Sequence, residues 1–146
     1  MRRRNIIIGV VGLLVVIGVI GAIYGTKGAP ENAGQVIFGT AVDSSAMKVT
    51  TPVTSIKAGT QVGWVAYLND AVKGTSVTLT LARVDSGGAE QTVASKPFDV
   101  ADPNFNELEF NPDNSIASYG PGTYKVRYVR PSDGTVLATG TITVTP

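Results

Sequence analysis

Residues Ile6 to Thr26 form an unbroken run of 21 uncharged residues, and Arg2, Arg3 and Arg4 stand directly before it. At 1.5 Å per helical residue such a run is about 30 Å long, the thickness of a bilayer's hydrocarbon core. It predicts one spanning helix. Arginines are retained on the cytoplasmic side, so everything after the run is expected to cross the membrane. The expected organisation is a cytoplasmic basic tip over 1–5, a transmembrane helix over 6–26, a linker over 27–34 and an extracytoplasmic domain over 35–146. This places the chain in the cell membrane as a single-pass protein in contact with the lipid bilayer.

A cleaved signal peptide has the same order of charge and apolarity, but its apolar region is shorter, about 7–15 residues, and ends in a small-x-small site. Here Ala22 follows Ile20 at that spacing, Gly25 follows Ile23 and Ala29 follows Lys27. None of these pairs is small-x-small, and an uncleaved anchor is expected. The chain has no cysteine to acylate, which excludes a lipoprotein.

The overall charge of +1 hides a division. The first 25 residues hold three of the twelve basic residues and none of the eleven acidic ones, which leaves nine basic and eleven acidic groups beyond them. Those basic residues are scattered, so no stripe points to nucleic acid. Without cysteine the outer domain has no disulfide framework and depends on its apolar core, for which about 110 residues suffice. Between anchor and domain, Thr26 to Gly34 holds two glycines, a proline and polar residues. Such a segment is a short tether.

From Gln35 onward the pattern is β. Val36-Ile37-Phe38 is a first apolar run, and Ala46 to Ile56 a second with Met47, Val49 and Val53. Val62, Trp64, Ala66 and Leu68 alternate with Gly63, Val65 and Tyr67, and Val77, Leu79 and Leu81 alternate with threonines. Further strands are expected around Gln91–Val100, Phe105–Phe110, Tyr124–Tyr128 and Ile142–Val144, separated by turns at Asp85–Gly88, Asn111–Asn114 and Pro131–Gly134. Seven or eight short strands about ten residues apart predict an all-β sandwich.

Gly120-Pro121-Gly122-Thr123-Tyr124-Lys125-Val126-Arg127-Tyr128-Val129 resembles the penultimate strand of immunoglobulin-like domains of the bacterial cell-surface kind. In that family a Pro-Gly-Thr-Tyr turn enters the strand and the tyrosine caps a corner of the sandwich. The resemblance spans roughly residues 35–146. It implies that Tyr124, Tyr128 and the lone Trp64 are core residues, with Trp64 where many such domains hold a core tryptophan. It implies a fold and no particular activity.

Catalysis finds little support. The chain has no histidine and no cysteine, so Ser-His and Cys-His pairs and the commonest zinc ligands are missing. Glu107 and Glu109 stand at i and i+2, on one face of a strand about 7 Å apart, a spacing compatible with an inverting glycosidase pair. Leu108 and Phe110 are expected to take the buried face, which leaves both glutamates in water. Asp102, Asn104 and Asn106, with Asp113 eleven residues after Asp102, imitate the opening of a calcium loop. Glu107 stands where that loop needs glycine, and a plain turn is expected. No cofactor is expected.

Gly18, Gly21, Ala22 and Gly25 fall at i, i+3, i+4 and i+7, one stripe of small residues that would let a second transmembrane helix approach closely. A basic tip, an apolar helix and a C-terminal sandwich also resemble the plan of archaellins and archaeal type IV pilins. Asn5 and three isoleucines stand where the processing glycine or alanine would follow the basic residues. The sequence therefore favours a non-catalytic accessory or structural subunit of a membrane complex, or a surface binding module, with other membrane protein subunits as partners. A filament subunit is one alternative. An adhesin-like carbohydrate or cell-wall binder, with Tyr119 and Tyr67 as contacts, is another.

Overall fold

The structure is a computed structural model that describes residues 22–23, 25–27 and 32–146. They contain the strands β1 (Ala22–Ile23), β2 (Gly25–Thr26), β3 (Gln35–Gly39), β4 (Val42–Asp43), β5 (Lys48–Val49) and β6 (Ser55–Lys57). These are followed by β7 (Val62–Tyr67), β8 (Ser76–Val84), β9 (Glu90–Val100), β10 (Glu107–Asp113), β11 (Gly122–Val129) and β12 (Val136–Thr145). A 3₁₀ turn covers Ala117–Tyr119. Among the described residues no helix is long and apolar enough to cross a membrane.

One sheet runs β1-β9-β8-β11-β12-β3-β7-β10-β2, with β6 beside β12 and the β4–β5 hairpin separate. A single residue pair, Thr139 with Gln35, joins β12 to β3. There the sheet folds over, and β12 continues alongside β6 in parallel. The long layer is β9-β8-β11-β12-β6 and the short one β3-β7-β10-β2. Alternate residues of both enclose one core, including Val77, Leu79 and Leu81 of β8, Tyr124, Val126 and Tyr128 of β11, and Trp64 and Ala66 of β7. The period-2 pattern of the sequence produces this directly, because successive side chains leave a strand on opposite faces.

Trp64 is 3% exposed and packed between Phe38 and Phe110, the latter ring stacked at 4.0 Å between centroids. It lies on β7, between β3 and β10. Immunoglobulin domains usually place their tryptophan in the other layer, whereas Trp64 lies in the layer of β3, β7 and β10. Tyr124 and Tyr128 are fully buried. The Tyr124 hydroxyl donates to the Gly120 carbonyl at 2.8 Å, the corner cap expected at the start of the penultimate strand.

Three boundaries differ from the sequence reading. The apolar run Ala46–Ile56 becomes the short pieces β5 and β6: Met47, left-handed at φ 50°, lies in the turn before β5, and the chain leaves regular pairing over residues 50–54 before β6 begins. The strand expected at Phe105–Phe110 is Glu107–Asp113 and continues through Pro112 across an irregularity in its pairing with β7. The helix expected over 6–26 does not reach its expected end, since Gly25–Thr26 pairs antiparallel with Glu107–Leu108 and Ala22–Ile23 runs parallel to Asp99–Val100. Backbone groups committed to those ladders cannot also close helical turns.

Candidate functional site

All six residues of β7 are buried, so this strand has no face in water. Its inward side is the sandwich core. On the outer side Val65 and Tyr67 lie beneath residues 40–52, which fold back across the short layer and carry the β4–β5 hairpin. Asp43 caps the hairpin turn by accepting from the Ser45 amide and hydroxyl. Those bonds, the Ser45 hydroxyl first, hold its carboxyl below the usual range. Met47 inserts under this strap at 3% exposure, and its carbonyl accepts from the Tyr67 hydroxyl at 2.7 Å. Close seating requires a glycine at position 39, where a Cβ would come within 2.7 Å of Val49 Cβ.

The same face carries Glu107 and Glu109, and here the structure corrects the expectation that both stand in water. They are 9% and 6% exposed. The strap covers one side and β2 the other. Ser44 Oγ donates to Glu109 Oε2 at 2.8 Å, and Thr26 Oγ1 donates to Glu107 Oε1 at 2.6 Å. Glu109 Oε1 has no hydrogen-bond partner.

β2 fixes the N-terminal segment to this edge. The Asn106 amide donates to the Thr26 carbonyl at 2.9 Å, and Lys27 Nζ lies 3.2 Å from Asp102 Oδ2. Gly25 is wedged so tightly that a Cβ would meet Glu107 O at 2.5 Å and the Leu108 and Phe105 side chains at 2.7 Å. Its small size serves the sandwich. Within the proposed helix-packing stripe, Ala22 lies in β1 and Gly25 in β2. Gly18, Gly21 and the topology residues Arg2, Arg3 and Arg4 lie outside the described residues. The linker expected from residue 27 begins with a docked lysine and ends in the turn at Asn32–Gly34.

The calcium-like spacing does not converge. Asp102 Oδ1 accepts from the Asn104 amide at 2.8 Å. That bond, with Lys27 after it, keeps its carboxyl below the usual range. Asp113 sits at the far end of β10, its Oδ1 bonded to the Ser115 amide. Among the described residues no group of three or more His, Cys, Asp or Glu comes together.

The remaining polar clusters tie the fold. Arg130 is 7% exposed and binds the carbonyls of Val72 and Ala71 and the carboxylates of Asp70 and Asp133, clamping the β7–β8 and β11–β12 connections. On the outer surface of the long layer Glu90 accepts from both Arg127 and Lys125. The aromatics expected as carbohydrate contacts are not free platforms. Tyr67 is buried under the strap, and Tyr119 is half-buried against Tyr124, where burial pushes its hydroxyl's pKa well upward.

No protein-family model and no curated protein sequence matches the chain. Among solved structures, an immunoglobulin-like protein from Pseudomonas aeruginosa is similar at 15% identity with a TM-score of 0.44, over 80% of this chain and 99% of that one. The strand order itself is informative. β7 pairs with β3 and β10 in one layer, and β11 with β8 and β12 in the other, the two-layer pairing of immunoglobulin domains. The fold is an immunoglobulin-like β-sandwich.

The buried polar face was not visible in sequence. Ser44, Met47 and Thr26 reach Glu109, Tyr67 and Glu107 across 20 to 81 residues, and no local pattern signals such contacts.

Proposed function

We propose that this chain is a non-catalytic, single-pass membrane protein, an accessory or structural subunit whose outer sandwich docks on other proteins of a membrane complex. The observation that carries the reading is the uncharged run Ile6–Thr26 behind three arginines, whose last residues, Gly25 and Thr26, pair with a strand of the sandwich. An anchor joined to its domain through β2 and the Lys27–Asp102 pair leaves little slack. The domain would be held in a defined orientation, which favours a scaffold over a freely swinging binding head.

The test is purification of the full chain in mild detergent and identification of what accompanies it, with added protease on intact cells as the topology arm. A stoichiometric membrane protein partner, and digestion from the outer side alone, are expected. A monodisperse monomer without partner, or an outer domain shielded until cells are opened, would overturn the assignment. Recovery as a long homopolymer would favour the filament alternative.

A further inference from the structure

Glu107 and Glu109 stand on one face of β10, their Cα atoms about 7 Å apart along the strand, and each is at least nine-tenths buried. Among the described residues no lysine or arginine nitrogen lies within ion-pair distance of either. A carboxylate can accept about four hydrogen bonds. Glu107 receives one, from Thr26, and Glu109 one, from Ser44, while Glu109 Oε1 receives none. Two adjacent buried carboxylates so poorly compensated are costly unless a positive charge accompanies them. An orphaned buried acceptor is the ordinary mark of a water or an ion.

The donors at hand are all hard oxygens. They are the two carboxylates and the hydroxyls of Ser44 and Thr26, each of which gives its proton to a carboxylate and retains lone pairs. Hard oxygen sets select calcium, magnesium or manganese over zinc and copper. Two carboxylates from one strand, with ligands from two separate segments, suit the adaptable coordination of calcium better than the near-ideal octahedron magnesium demands. We propose that Glu107 and Glu109, flanked by Ser44 of the strap and Thr26 of β2, form a calcium site, with water completing the shell. The Asp102 loop plays no part in it. Calcium there would fasten strap and N-terminal segment to β10, making the stiffness of the anchor–sandwich junction depend on the ion. The site itself does not depend on the membrane assignment.

Full-length protein in mild detergent, stripped with EDTA and dialysed, should gain thermal stability as calcium chloride is added, because a ligand bound only by the folded state raises its melting temperature. Magnesium at equal concentration should do less. Glu109→Gln should abolish the calcium response, and Ser44→Ala should weaken calcium binding about ten- to hundredfold, as loss of a partner around a metal ligand commonly does. Asp113→Asn, at the far end of β10, should respond like the wild type. A wild-type melting temperature indifferent to calcium and EDTA would overturn the proposal. So would a response as strong in Glu109→Gln, or one equally strong with magnesium. Should Glu109→Gln fail to fold, radioactive calcium binding by wild type and Glu107→Gln decides the matter. Equal binding by the two sinks the site.

Discussion

Trp64 and Tyr128 stand in opposite layers of the sandwich, and the indole Nε1 donates to the phenolic oxygen at 2.8 Å in the buried core. Their strands, β7 and β11, occupy the positions that antibody domains join with a disulfide. This chain has no cysteine, and a buried hydrogen bond between two large rings spans the layers instead. Tyr128→Phe should leave the indole N–H buried without a partner and cost about 1–3 kcal/mol. Trp64→Ala should cost about 3–5 kcal/mol through the cavity between Phe38 and Phe110. Urea unfolding followed by circular dichroism checks both, and a Trp64→Ala loss below about 1 kcal/mol would contradict its core role.

The corner formed by Tyr124 and Gly120 rests on backbone geometry as well as on a hydrogen bond. Gly120 has φ 90° and ψ −179°, a region almost reserved for glycine. Gly120→Ala is expected to destabilise by about 1–3 kcal/mol. Tyr124→Phe, which removes only the bond to the Gly120 carbonyl, should cost about 0.5–1.5 kcal/mol. If the alanine variant unfolds at the wild-type urea midpoint, the corner is not strained.

Acid should loosen the long layer's outer surface in a defined window. The Arg127 hydrogen bonds, then Lys125, hold the Glu90 carboxyl down at about 2, against an ordinary value of 4.5. A carboxyl depressed in the folded state contributes stability above its unfolded pKa, and that contribution disappears as pH falls from 4.5 towards 2. Glu90→Gln removes the group, so wild type should lose more stability than this variant across that interval. Parallel pH dependences for the two proteins would show that the Glu90 pairs contribute nothing to stability in solution.

The fold was legible because its information is local. Alternation in β7, β8 and β11 follows directly from the pleat, and Gly-Thr-Tyr marks the corner within a few residues. Glu107 and Glu109 misled for a related reason. Alternation says which face a residue takes, and the expectation that the other face meets water fails once a second segment covers it. The strap that does so has only two-residue strands and a left-handed Met47, which weakens its own period. The end of the apolar run misled because hydropathy does not distinguish a helix from an edge strand, and Gly25 suits close packing in either.

That ambiguity divides the small-residue stripe into two testable halves. At Gly25 a side chain would collide with the Glu107 carbonyl and the Leu108 and Phe105 side chains, so Gly25→Val should displace β2 from β10. The Thr26–Glu107 bond and the Lys27–Asp102 pair depend on that pairing, and their loss should lower sandwich stability by about 1–3 kcal/mol, as overpacking typically does. Gly18 and Gly21 lie outside the described residues, and Leu at both keeps the run apolar while raising helix propensity. Gly18→Leu with Gly21→Leu should leave insertion and sandwich stability unchanged. If an anchor helix packs closely on a partner there, added leucines would hold that neighbour several Å away and co-purification should fail. Leucines at Gly9 and Gly12, roughly opposite on a helix, should have the smaller effect. Unchanged co-purification of the Gly18 and Gly21 double variant would transfer assembly to the sandwich, and wild-type stability of Gly25→Val would show that β2 is not fastened to β10.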